Sequence, residues 1–113
     1  MERWWAPEFT DPDYKGDCES KEGDVFAFAM VGVEVFTGRV PFEGLEHSVA
    51  AVRFFSGHRP DISEENTPGV GLTQGMVKLL QECWDGKPNQ RPPIESVVRR
   101  LDLDRHNLVS QPF

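Results

Sequence analysis

The sequence predicts an all-α chain, on three observations. The longest mostly apolar stretch, Val25 to Phe36, is 12 residues long, which suits a helix better than a strand. Three further segments carry apolar side chains at spacings of three and four, the period of one helix face. No pair of alternating segments is joined by a tight turn, so no hairpin is expected.

The elements follow in order. Residues 1–9 read MERWWAPEF. Free termini are usually polar and frayed, so two adjacent tryptophans here look like part of a longer structured chain. Residues 10–23 are turn-rich and polar and read as a loop. The clearest helix spans Asp24 to Thr37, with Gly23 as an acceptable cap, Asp24 at the positive end of the helix dipole, Gly38 as the stop and Pro41 beyond. Its apolar residues cover every side, so it should be the central element and be covered all round. A second helix is predicted over Glu46 to Ser56, with Gly57 as its stop. Residues 57–73 hold three glycines and two prolines and form a long loop. Thr73 is placed to cap a helix running from Gln74 or Gly75 to Trp84. A turn with three prolines in nine residues, Asp85 to Pro93, leads to a last helix over Pro93 to Leu101. The remainder, alternating in charge, is expected to be a weakly packed tail.

Composition narrows the function. The chain has 113 residues and 12.8 kDa, enough for one small domain or a piece of a larger one. With 19 Asp+Glu against 12 Lys+Arg its net charge is −7. Such a field repels phosphates, and no Lys/Arg run offsets it, so no nucleic-acid partner is expected. No stretch is long and apolar enough to span a bilayer and no signal peptide is seen, so no membrane partner is expected either. Cys18 and Cys83 read as two reduced thiols of a cytoplasmic protein.

Three stretches, in order, carry a resemblance. Arg3-Trp4-Trp5-Ala6-Pro7-Glu8 resembles the Ala-Pro-Glu motif that closes a protein-kinase activation segment. Asp24-Val25-Phe26-Ala27-Phe28-Ala29, then Glu34, Phe36-Thr37-Gly38 and Pro41-Phe42, resembles that fold's helix F and the turn after it. Cys83-Trp84 with Pro88-Asn89-Gln90-Arg91-Pro92 resembles the segment joining its helices H and I. The chain is thereby similar to the C-terminal part of a kinase C-lobe, of the tyrosine-kinase-like or tyrosine-kinase group. Residues 1–103 correspond to a partial kinase domain and 104–113 to a tail.

The resemblance implies roles. Trp4, Trp5, Ala6, Pro7 and Glu8 would form the substrate-side loop; Glu8, Asp24, Arg91 and Trp84 would be structural anchors. Glu8 and Arg91 form a buried ion pair in the family, and Asp24 fixes the catalytic loop. That loop is absent here, so the plainer reading of Asp24 is a solvated charge at a helix start. Trp84 is expected in the core. Two departures stand out: Ala29 and Gly23 replace the glycine and the Ser/Thr common in relatives, and Trp5 is bulkier than the usual residue, which alters substrate docking.

The resemblance also exposes gaps. No Gly-rich phosphate lid, strand-borne lysine, His-Arg-Asp loop or Asp-Phe-Gly metal site occurs in the sequence. Phosphoryl transfer rests on those groups and Mg²⁺. The expectation is a kinase fragment, Ser/Thr-directed rather than Tyr-directed in its complete form, inactive alone, and holding no cofactor itself; ATP and Mg belong to the complete kinase. The alternative is a non-catalytic protein-interaction module, or a relic of a kinase domain. Either way the partner is a protein, as substrate or as binding partner.

Other candidates have plain readings. His47, His58, His106 and the cysteines lack metal-ligand spacing. Gly69, Gly71 and Gly75 follow a loop rather than a strand, so they do not form a dinucleotide fingerprint. Asp61, Glu64 and Glu65 read as a solvated acidic face, and Ser56 and His58 lack an orienting third group.

Overall fold

The computed structural model describes residues 4–16, 20–63, 66, 67 and 71–110, with side chains as far as residue 104. Arg3, Cys18, Glu64, Glu65 and Gly69, and the side chain of His106, lie outside the described residues. Four α-helices make up the described fold: α1 (Lys21–Thr37), α2 (His47–Phe55), α3 (Gln74–Cys83) and α4 (Ile94–Ser110). Two 3-10 turns, Pro7–Thr10 and Pro88–Gln90, flank the site discussed below. Among the described residues there is no strand.

The helix α1 starts three residues earlier than the sequence predicts. Its cap is Ser20, whose hydroxyl accepts a hydrogen bond from Gly23 N at 2.9 Å. Lys21 and Glu22 form the solvent side of the first turn and add nothing to the apolar pattern, which is why the start reads late. Gly23 is therefore not the cap. It is buried within the first turn, where a Cβ would sit 2.3 Å from Phe9 Cζ and 3.0 Å from the capping Ser20 Oγ. The absent side chain lets the N-terminal segment lie against the helix. At the other end Gly38 takes φ 73, a left-handed cap that a glycine adopts at no steric cost.

The core sits between α1, α3 and α4. Phe26, Met30 and Val33 of α1 meet Leu79, Leu80 and Cys83 of α3, and Val97 of α4 closes the cluster. Phe54 brings α2 into it, its ring edge-on to Phe26 at 5.5 Å between centroids. The helix α1 is only partly covered: Val31 and Val35 on its other side remain 51% and 67% exposed. The cap of α3 is Thr73, accepting from Met76 N at 3.1 Å. Thr73 also donates to Asp104 of α4.

That contact corrects the reading of a helix ending at Leu101. Asp102, Asp104 and Arg105 interrupt the apolar pattern around a single exposed Leu103, yet none breaks a helix, and the chain stays helical to Ser110, two residues short of Pro112. Arg100 reinforces the α3–α4 contact with two hydrogen bonds to Glu82, at 2.8 and 3.0 Å.

Gly23→Ala should lower stability by about 1–3 kcal/mol, the usual cost of overpacking, although the same change in an open helix is favourable. In the Phe9→Ala background the penalty should vanish. Guanidinium denaturation of the four chains checks this, and an additive cycle refutes it.

Candidate functional site

The site assembles where the first 3-10 turn meets the second. Pro7 starts the first turn, its fixed φ suited to that place. Ala6 is fully buried, leaving no room for a larger side chain, and Pro7 is buried with it. Glu8 follows within the turn. On the other side, the turn Pro88–Gln90 delivers Arg91, whose side chain is 0% exposed.

Glu8 and Arg91 meet end to end. Arg91 Nη1 donates to Glu8 Oε2 and Nη2 to Glu8 Oε1, each at 2.8 Å. This is the parallel fork that a guanidinium can form and an ammonium cannot. Two further donors are used as well: Nη1 reaches the Glu22 carbonyl at 2.9 Å and Nε the Asp85 carbonyl at 2.8 Å. The guanidinium lies over the Phe26 ring at 5.1 Å. One side chain thus ties together the first turn, the start of α1 and the Asp85 turn.

The other sequence-predicted residues fall around this pair. Trp4 Nε1 donates to the Glu34 carboxylate, fixing the entry of the segment to the middle of α1. Trp5 points outward, 41% exposed. Trp84 is buried in the core cluster. Asp24 is on the exposed side of α1's first turn and takes no part in the Glu8–Arg91 contact. Asp61 accepts from Ser63 N at 2.8 Å, and that backbone bond holds its carboxyl below the usual range. Ser56 and His58 are exposed.

Three participants escape a reading of the sequence alone. Glu34 shows in the sequence only as a motif position, though it is the one charged residue in the apolar run. Phe26 reads only as an apolar residue of α1, and it supplies the ring under two cations. Arg59 lay within a loop and carried no signal. Its Nε donates to the Trp84 carbonyl at 2.9 Å and its Nη1 to those of Phe54, at 2.9 Å, and His58, at 2.7 Å. It stands 5.5 Å from the Phe26 centroid and 5.9 Å from that of Phe54. Burial, with the neighbouring Arg91 charge, pushes its pKa down, and Asp85 partly offsets this.

Known proteins match this chain along most of its length. Residues 1–101 match the family model described as protein tyrosine and serine/threonine kinase. The chain belongs to the protein kinase family. It is 31% identical over 110 residues to the dual specificity protein kinase pyk3 of Dictyostelium discoideum, covering 96% of this chain and 8% of that protein. It is 34% identical over 107 residues to serine/threonine-protein kinase 12 of Arabidopsis thaliana, covering 94% of this chain and 22% of the relative. It is 34% identical over 108 residues to serine/threonine-protein kinase VIK of the same plant, covering 96% and 23%. The chain therefore spans less than a quarter of the length of these three kinases. Its all-helical architecture is that of the C-terminal helical part of a kinase fold. The matched kinases include both Ser/Thr and dual-specificity names.

Two measurements probe the site. Arg91→Ala leaves Glu8 buried and alone, which should cost roughly 3–5 kcal/mol. Arg99→Ala, at an exposed position on α4, should cost under about 0.5 kcal/mol. Thermal melts distinguish the two, and equal melts would remove the pair's importance. Separately, burial raises the Cys83 thiol to about 11, so it stays protonated at neutral pH. In a Cys18→Ser chain, a thiol reagent should label Cys83 only as fast as the chain unfolds; rapid native labelling would contradict the burial.

Proposed function

We propose that this chain supplies the activation-segment anchor and substrate-side surface of a protein kinase domain. The complete form would transfer phosphate from ATP to protein Ser/Thr, less readily to Tyr, as a cytoplasmic signalling enzyme. The reading is carried by one observation: the Ala6-Pro7-Glu8 segment is locked by Arg91 through two parallel hydrogen bonds. A loop held this way presents a fixed surface, with Trp5 outward and Ala6 inward. Positioning of substrate is worth a large share of a phosphoryl-transfer barrier, so such rigidity has a use.

On this reading ATP and Mg²⁺ are held by the rest of the kinase domain. Among the described residues, no three His, Cys, Asp or Glu side chains gather to hold a metal ion. The sequence also lacks the Gly-rich, His-Arg-Asp and Asp-Phe-Gly motifs. The role proposed here is therefore structural within the enzyme, and the chain alone has no catalytic step. Asp24, exposed at the start of α1, is free to meet a catalytic loop supplied by the rest of the domain.

A second reading, a protein-interaction module without catalysis, is favoured by a single feature. Val49, Val52 and Phe55 of α2 are 42%, 63% and 54% exposed, an apolar stripe of the kind that marks interfaces.

The isolated chain should show neither heat of binding with Mg-ATP nor transfer of labelled phosphate to generic peptides. Micromolar ATP binding or steady turnover would overturn the proposal. A transcript that encodes His-Arg-Asp and Asp-Phe-Gly motifs upstream favours the kinase reading over the module.

A further inference from the structure

Arg59 has a second side that the core does not use. Its Nε and Nη1 are taken by three backbone carbonyls, but its Nη2 makes no hydrogen bond among the described residues. No buried side-chain nitrogen or oxygen among those residues lacks a partner, so Nη2 must reach accessible surface. It does so beside Gly86, where a Cβ would stand 3.6 Å from it. Gly86 and Arg59 both line a cleft of about 390 Å³ between the first 3-10 turn, the end of α2 and the Asp85 turn.

The rest of the cleft has two characters. Pro7, Phe54, Phe55 and Pro88 give it apolar walls, and Lys87 adds a second cation. Its carboxylates are only partly engaged, Glu8 fully and Asp11 through one oxygen. Both Glu8 oxygens are held by Arg91, and Asp11 Oδ1 accepts from Asp13 N at 2.9 Å. Asp85 partly offsets the Arg59 charge, but its Oδ1 caps Lys87 N at 2.9 Å.

We infer that this cleft binds one anionic group borne on an apolar body: the acidic or phosphorylated side chain of a protein partner, its head on Arg59 Nη2 and Lys87 and its body against Phe55. A guanidinium edge suits a carboxylate or phosphate oxygen, and partial desolvation strengthens the contact. The net charge of −7 repels polyanions such as nucleic acid or an anionic membrane. A single anion within the cleft feels mainly the charges nearest its head, Arg59 and Lys87 against Asp11, since the rest is screened beyond about 8 Å at physiological salt. The cleft volume, within the usual range for ligand sites, admits a side chain of this size. The inference needs no catalysis, so the ATP experiment can fail or succeed without touching it.

The test uses ligand-observed saturation-transfer NMR on the whole chain, with three probes: phenyl phosphate, inorganic phosphate and phenol. Phenyl phosphate should bind in the low-millimolar range, and each of the other two about tenfold more weakly, a difference of about 1.4 kcal/mol. Lys87→Glu should weaken phenyl phosphate several-fold while leaving the circular dichroism unchanged, because the Lys87 side chain is exposed. Arg59→Gln should abolish binding; where that variant unfolds, Lys87→Glu decides. Equal binding of phenol, no effect of Lys87→Glu, or no phenyl phosphate signal overturns the inference. Phenylacetate as a fourth probe separates the sources: tighter binding than phenyl phosphate points to an acidic side chain, weaker binding to a phosphorylated one.

Discussion

Arg91 uses its guanidinium to hold four places at once: two oxygens of Glu8 and the carbonyls of Glu22 and Asp85. Glu8 lies 83 residues away in the chain, so this contact closes the domain across nearly its whole length. A fully buried charge deprived of these acceptors would be costly. Each neighbour of Arg91 is thereby constrained. The first turn must present Glu8, α1 must begin where the Glu22 carbonyl is in reach, and the Asp85 turn must expose its carbonyl. The early start of α1, at Ser20 rather than Gly23, meets the second condition. The missing side chain of Gly23 meets the first, by letting Phe9 and its turn lie against the helix.

A buried pair of this kind need not stabilise a fold more than apolar residues of the same shape would. Its effect is to select one arrangement. A slip of either 3-10 turn would leave a carboxylate or a guanidinium without partners in the core. For a loop that is proposed to hold a substrate in register, that selectivity is the useful property. Trp4, bonded to Glu34, adds a second fixed point on the same segment, and Trp5 between them and the turn is left facing out.

The Phe26 ring links this pair to the rest of the core. Two guanidinium groups approach it, Arg91 at 5.1 Å and Arg59 at 5.5 Å. Their mutual repulsion is answered by Glu8, by the ring and by five backbone carbonyls: Glu22, Asp85, Trp84, Phe54 and His58. Carbonyls carry only partial charge and no carboxylate is bonded to Arg59, whose pKa burial and the Arg91 charge push down. The same deficit leaves an Arg59 amino group turned towards the cleft at the end of α2.

Much of this was legible in the residues. The 12-residue apolar run is too long for most strands and reads as a helix, and Gly38 and Thr73 mark a stop and a start by chemistry that acts within a few residues. The motif match brought Glu8 and Arg91 together as an expectation, because a motif preserves which residues face each other even when no spacing shows it. Local signals failed where polar residues continue a helix, as Lys21, Glu22, Asp102, Asp104 and Arg105 do: periodicity registers apolar faces, and helices with a solvated side extend past them. The role of Arg59 was decided by tertiary structure alone. Nothing near it in sequence requires a cation, and its partners are backbone carbonyls, which every residue possesses. Only the folded chain, by placing the ends of α2 and α3 on either side of Phe26, turns those carbonyls towards one point and makes a guanidinium the group that fits.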